Sequence, residues 1–229
     1  MGSGSNCIVA GLSDSRKRTV EAGYDAMAER YLVWGKAVSG DPRDRFLDEL
    51  VAQLPAGARV LDLGCGAGIP STKKLAERFE VVGADISEAQ LRRARENVAG
   101  ATFIRSDLSE LDFPGESFDG ITAFYSISHL PRDEHSRLFE RIVHWLRPGG
   151  FFLATLGADD TPDWTGDWLG VPMFFSSFDA DTNRRLIETA GLALAVDEVV
   201  SMREPEGEVA FLWILGQKPD RSPMLGEHS

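Results

Sequence analysis

Cysteine is almost absent: the 229 residues hold two, Cys7 and Cys65. Cys65 lies inside a glycine-rich stretch, where pairing with a remote thiol would distort the backbone. A disulfide framework is therefore not expected, and a reducing, cytoplasmic setting fits. Basic residues are few beside acidic ones, 24 Lys and Arg against 36 Asp and Glu, for a formal net charge of -12. Such a surface repels phosphate backbones, which argues against nucleic acid or an anionic membrane as partner. No apolar run reaches the roughly 18 residues of a membrane span. The start, Met1-Gly2-Ser3-Gly4-Ser5, has no apolar signal core. Residues 1–14 are expected to be a flexible leader and 219–229 a flexible tail. Internal repeats and low-complexity linkers are missing as well. What remains has ordinary apolar content, 43%, and is long enough for one well-buried domain.

Within that domain one stretch stands out, Val60-Leu61-Asp62-Leu63-Gly64-Cys65-Gly66-Ala67-Gly68. An apolar strand runs into a glycine-rich turn, and Pro70-Ser71-Thr72 then opens a helix. Glycine lacks a Cβ, so the turn can be sharp and the backbone can lie against a ligand. A second strand, Val81-Val82-Gly83-Ala84-Asp85, ends in a carboxylate able to grip both hydroxyls of a ribose. A phosphate-binding loop would need Lys and Ser or Thr after its last glycine, where Ile69 and Pro70 stand. The dinucleotide spacing G-x-G-x-x-G fails too, because Gly64, Gly66 and Gly68 alternate. With no base in the turn and Asp62 just before it, the strand end suits a ligand bearing an ammonium and a sulfonium.

The surroundings are those of an α/β domain. Tyr24, Met27, Tyr31 and Trp34 recur at helical spacing, and so do Phe46, Leu47, Leu50 and Val51. Residues 15–54 thus form an N-terminal helical cap, with Asp41 and Pro42 opening its second helix. Strands are expected at 59–64, 80–85, 101–105, 118–124 and 149–156, and helices at 70–78, 87–98 and 132–146. Ser87, followed by Glu88 and Gln90, marks a helix start. A helix at 180–190 leads to apolar runs at 192–202 and 209–215, joined by a short turn as in an antiparallel hairpin. The fold expected is a Rossmann-like doubly wound sheet ending in that hairpin.

These motifs resemble the class I S-adenosylmethionine-dependent methyltransferases of the small-molecule type, whose first motif reads acid-x-G-x-G-x-G. The resemblance covers about residues 55–218. It implies a sheet of six parallel strands with a seventh antiparallel, and S-adenosylmethionine as cofactor. It implies that Asp62 faces the methionyl ammonium and that Gly64, Cys65, Gly66 and Gly68 form the turn around the ligand. Asp85 would bind the ribose and Ile86 would flank the adenine. Asp107 would accept from the adenine amine, with the Leu108 N–H on a ring nitrogen. Phe124 would line the cleft, and Tyr24 or Tyr31 would fold over it. Asp119 and Arg147-Pro148-Gly149-Gly150 would serve structure.

Methyl transfer to a hydroxyl or amine needs alignment and, for a neutral acceptor, a base. His129, just past the fourth strand, is the candidate base. Tyr125, His129, Trp164, Trp168, Phe174 and Phe175 are candidate acceptor contacts, the last four within a cover loop at 159–179. Aromatics suit a flat apolar acceptor, and interleaved acids a cationic one. No carboxylate follows the fourth strand, so no metal is expected. The reading is methyl transfer to a small-molecule acceptor, oxygen first. The alternatives are an N-methyltransferase on a small amine and a non-catalytic binding module of the same fold.

Overall fold

Strand β1 (Arg59–Leu63) has no polar face: four of its five residues are buried. A strand of that kind belongs inside a sheet covered on both sides. In the computed structural model, which describes residues 5–220 and residues 5–14 by backbone alone, β1 is third in a seven-stranded sheet. The other strands are β2 (Glu80–Asp85), β3 (Thr102–Arg105), β4 (Phe118–Ala123), β5 (Leu146–Gly157), β8 (Ala193–Glu204) and β9 (Gly207–Gln217), in the order β3-β2-β1-β4-β5-β9-β8. Strands β1 to β5 pair in parallel; β9 runs antiparallel between β5 and β8. The chain leaves β1 toward β2 on one side and returns to β4 on the other. The crevice at the carboxyl ends of β1 and β4 is the place where such sheets hold ligands.

Two apolar clusters cover the sheet. One packs α5 (His135–Trp145) and α6 (Ala180–Ala190) through Leu138, Phe139, Ile142 and Ile187. The other packs α2 (Arg43–Gln53) and α3 (Ser71–Ala76), with Phe46 stacked on Trp213 at 4.7 Å between ring centroids. Thus α2 belongs to the core rather than to a cap, because Phe46, Leu47 and Leu50 are fully buried. It starts one residue later than expected, although Asp41 Oδ1 does accept from the Arg43 N–H. Helix α4 (Glu88–Asn97) starts as expected, with the Ser87 hydroxyl accepting from the Gln90 N–H.

Two expectations need correction. Helix α1 spans Ser5–Gly35, so the helical ladder takes in residues 5–14, which had been assigned to a leader. No proline interrupts the chain before Pro42, and the ladder continues toward the N-terminus. Residues 1–4 of that leader, and 221–229 of the tail, lie outside the described residues. The second correction is the cover loop at 159–179, which is a hairpin of β6 (Thr161–Trp168) and β7 (Val171–Ser177). Its two-residue turn holds both Leu169 (φ 52°) and Gly170 (φ 75°) in the left-handed region, the geometry that matches strand twist. Leucine is an unusual occupant there, so the turn was not legible. A lone hairpin is marginal in water. Here α1 supports it through Val20, Met27, Met173 and Phe174, a third apolar cluster above the crevice.

Candidate active site

The glycine turn follows β1 with Gly64 at φ 72°, and a Cβ on it would lie 2.2 Å from Ser126 Cβ. Gly66, at φ 53°, faces open space instead. Asp85 ends β2 beneath it, with only 8% of its surface exposed. Its Oδ2 accepts from the Gly66 N–H at 2.8 Å and its Oδ1 from the Ser87 N–H at 2.9 Å. Burial pushes its pKa up to about 6, against the pull of those two N–H groups. Asp85 thus builds the turn and borders the ligand space together. Cys65 is buried and its thiol is pushed well up, by burial first and then by Asp85 and Asp62.

Asp62 sits deeper than the resemblance implied. The Thr72 hydroxyl donates to its Oδ2 at 2.6 Å and the Thr122 hydroxyl to its Oδ1 at 2.8 Å. The carboxylate ties β1 to α3 and β4, and burial raises its pKa. A carboxylate has about four lone-pair sites, so bonding to two threonines leaves capacity toward the crevice. Asp107 is also engaged: Oδ1 accepts from the Ser109 N–H at 2.8 Å, and Oδ2 lies 3.3 Å from Lys17 Nζ of α1. Asp119 holds the Arg59 N–H at 2.8 Å and Arg147 at 2.6 Å, the structural role expected of it.

These elements border a cavity lined by Gly64, Gly66, Asp85, Ile86, Gln90, Asp107, Leu108 and Phe124. Gln90 was not foreseen as a site residue. Its side chain is buried, and neither its amide oxygen nor its nitrogen has a partner in the protein. Buried amides without partners are costly, and Gln90 borders the cavity. Asp85 and Gln90 would face the hydroxyls of a ribose bound here, and Ile86 and Leu108 would flank a flat base. The residues present fit an adenosine.

Beyond this cavity lies a larger groove, bordered by Trp34, Trp164, Trp168, Phe175 and Phe211. Tyr24, Tyr31, Tyr125 and His129 border both spaces, so they mark where the two ligands would meet. Burial lowers the His129 pKa to about 4, so its ring is neutral near pH 7. Its Nδ1 lies 2.9 Å from the Phe174 carbonyl oxygen, which can only accept. The proton therefore sits on Nδ1, and Nε2 accepts from the Tyr24 hydroxyl at 2.8 Å. The Phe174 side chain, expected at the acceptor, instead packs among Val20, Met27 and Met173. Its main chain is what reaches the site. Trp164, Trp168, Phe175 and Tyr125 do border the groove.

Residues 60–150 match the family described as "Methyltransferase domain". Among curated proteins, the chain is 34% identical over 149 residues to a 27-O-demethylrifamycin SV methyltransferase of Amycolatopsis mediterranei, covering 56% of this chain and 54% of that one. It is 43% identical over 115 residues to a trans-aconitate 2-methyltransferase of Variovorax paradoxus, covering 48% and 43%. The chain spans about half the length of these relatives. Among solved structures, a 1,6-didemethyltoxoflavin-N1-methyltransferase of Burkholderia thailandensis superposes with a TM-score of 0.64 at 22% identity, covering 96% of this chain and 92% of that one. Residues 60–150 thus resemble a methyltransferase domain, and the chain shares the fold of that solved methyltransferase.

Proposed function

We propose that this chain transfers the methyl group of S-adenosylmethionine to a hydroxyl of a small, largely apolar molecule. The observation that carries this reading is the junction of the two spaces: the cavity at the glycine turn, bordered by Asp85, Gln90 and Asp107, meets an aromatic groove at Tyr24, Tyr31, Tyr125 and His129. When bound, S-adenosylmethionine supplies a methyl group activated by a sulfonium. The chain's own contribution is alignment and exclusion of water, which supplies much of the acceleration in such displacements. Helix α1 and the β6–β7 hairpin roof the junction for that purpose. The Phe174 carbonyl fixes the His129 tautomer, so Nε2 is the atom that takes a proton from the acceptor, in place of or through the Tyr24 hydroxyl. Burial makes the imidazole a weak base, which suits an acidic hydroxyl such as a phenol or enol. The relative named as a methyltransferase of 27-O-demethylrifamycin SV supports an oxygen acceptor.

A second reading, methylation of a small amine, is favoured by the acids along the groove. Glu204, raised to about 6 by burial and by Glu206, borders it with Glu208, beside Trp34 and Trp168. Rings and carboxylates together attract an organic cation. The test is transfer of an isotopically labelled methyl group to phenols and to amines built on the same ring skeletons. Label in the phenols supports the first reading and label in the amines alone the second. Failure to bind S-adenosylmethionine at all would overturn both.

A further inference from the structure

Gly23 stands in the interior of α1, a place where glycine is a poor helix former. The structure gives it a steric reason. A Cβ at this position would lie 2.7 Å from Met173 Cε and 3.0 Å from the Pro172 carbonyl oxygen of β7. Non-bonded carbon atoms prefer about 3.5–4.0 Å, so only glycine lets the helix come this close to the strand. Gly23 is buried at this contact. Met173 is fully buried, in the apolar cluster with Val20 and Met27, one turn before and after Gly23.

The next residue on each element reaches His129. Tyr24 follows Gly23, and its hydroxyl donates to Nε2 at 2.8 Å. Phe174 follows Met173, and its carbonyl accepts from Nδ1 at 2.9 Å. The imidazole is therefore spanned by two elements that meet at Gly23. The ring has a fixed width, so a wider gap between α1 and β7 would lengthen at least one of the two bonds. We infer that the Gly23–Met173 contact is a positioning device: it sets the spacing of α1 and β7, and through Tyr24 and Phe174 the orientation and tautomer of the His129 ring. The inference rests on the base role given to His129 above and names what keeps that base in register. Misplacing a reacting group by about 1 Å can cost about 10²-fold in rate.

The test is Gly23→Ala in the full chain, read by the nitrogen resonances of the His129 ring and by single-turnover transfer to a phenol that the wild type methylates. At neutral pH the wild-type ring is uncharged and should show one tautomer, protonated on Nδ1. Gly23→Ala should show both tautomers and slow transfer about 10–100-fold. Its affinity for S-adenosylhomocysteine should change by less than about tenfold, because the new methyl group points at β7. Alanine is the better helix former, yet here it should lower the melting temperature. Met173→Leu removes Cε at similar volume. Added to Gly23→Ala, it should restore the Nδ1 tautomer and recover about tenfold in rate, since residues in contact couple. If Gly23→Ala does not fold, a folded double variant with the wild-type tautomer supports the inference, and an unfolded one overturns it. Wild-type ring resonances in Gly23→Ala would also overturn it. Altered resonances with an unchanged rate would support the positioning role and overturn the base role of His129. The resonances need no acceptor, so they decide the positioning role by themselves.

Discussion

Asp85 is asked to do two things whose energies oppose each other. Burial raises its pKa from 3.8 to about 6. Between pH 4 and 6 the folded chain therefore holds more proton than the unfolded one, and stability falls as pH rises through that window. A shift of about two units amounts to about 3 kcal/mol. In Asp85→Asn the charge is gone, but one amide oxygen must now serve both the Gly66 and the Ser87 N–H. An orphaned buried donor costs about 1–3 kcal/mol. The two effects are of similar size, so the melting temperature at pH 7 should move by only a few degrees. Ligand binding has no such compensation. Losing a ribose hydrogen bond to a carboxylate costs about 1.5–3 kcal/mol, or roughly 10–150-fold in affinity for S-adenosylmethionine. Wild-type affinity should also weaken as pH drops below about 6, because ribose hydroxyls favour the ionised form. At pH 5.5 binding should release about three quarters of a proton, measured by calorimetry in buffers of different ionisation enthalpy. An Asn variant with wild-type affinity, or binding that is independent of pH between 5 and 7, would refute this account of Asp85.

His129, lowered to about 4, has the opposite linkage: the unfolded chain binds more proton between pH 4 and 6.5, so stability rises with pH there. Accordingly, His129→Gln should lose less melting temperature than wild type when taken from pH 6.5 to 4. It should also slow single-turnover transfer roughly 10²–10⁴-fold if Nε2 is the base. The wild-type rate should be flat from about pH 5 to 7, since the buried ring has already lost its extra proton; a rise centred near 6.5 would contradict its burial. Thr122→Val removes a hydroxyl at 2.8 Å from the buried Asp62 carboxylate and should cost about 1.5–3 kcal/mol in urea unfolding. Among the described residues no three His, Cys, Asp or Glu side chains converge to hold a metal, so transfer should persist in EDTA. Activity lost to the chelator and restored by magnesium would reveal a metal role.

Local chemistry made much of this molecule legible. The apolar β1, the alternating glycines, the acid at the end of β2 and the Ser87 cap depend on residues close together in the chain. Their periodicity and turn chemistry pointed to the order of strands and helices, the C-terminal hairpin and the residues around the cavity at the glycine turn. The rest depended on meetings between distant segments. The sequence marked Asp62 but not the threonines 10 and 60 residues away that hold it. It marked His129 but not the carbonyl 45 residues on that sets its tautomer, nor the burial that lowers its pKa. The aromatic segment at 159–179 looked like a loop, because what makes it a hairpin is a leucine in an uncommon turn and the support of α1. Arg43 carries no motif, and Ser71 and Gln90 entered the sequence reading only as helix-start residues. Only tertiary burial, which removes water without supplying a partner, singles them out. A local sequence records which hydrogen-bonding groups a chain has; whether each finds a partner is decided by packing, which brings together residues far apart in the chain.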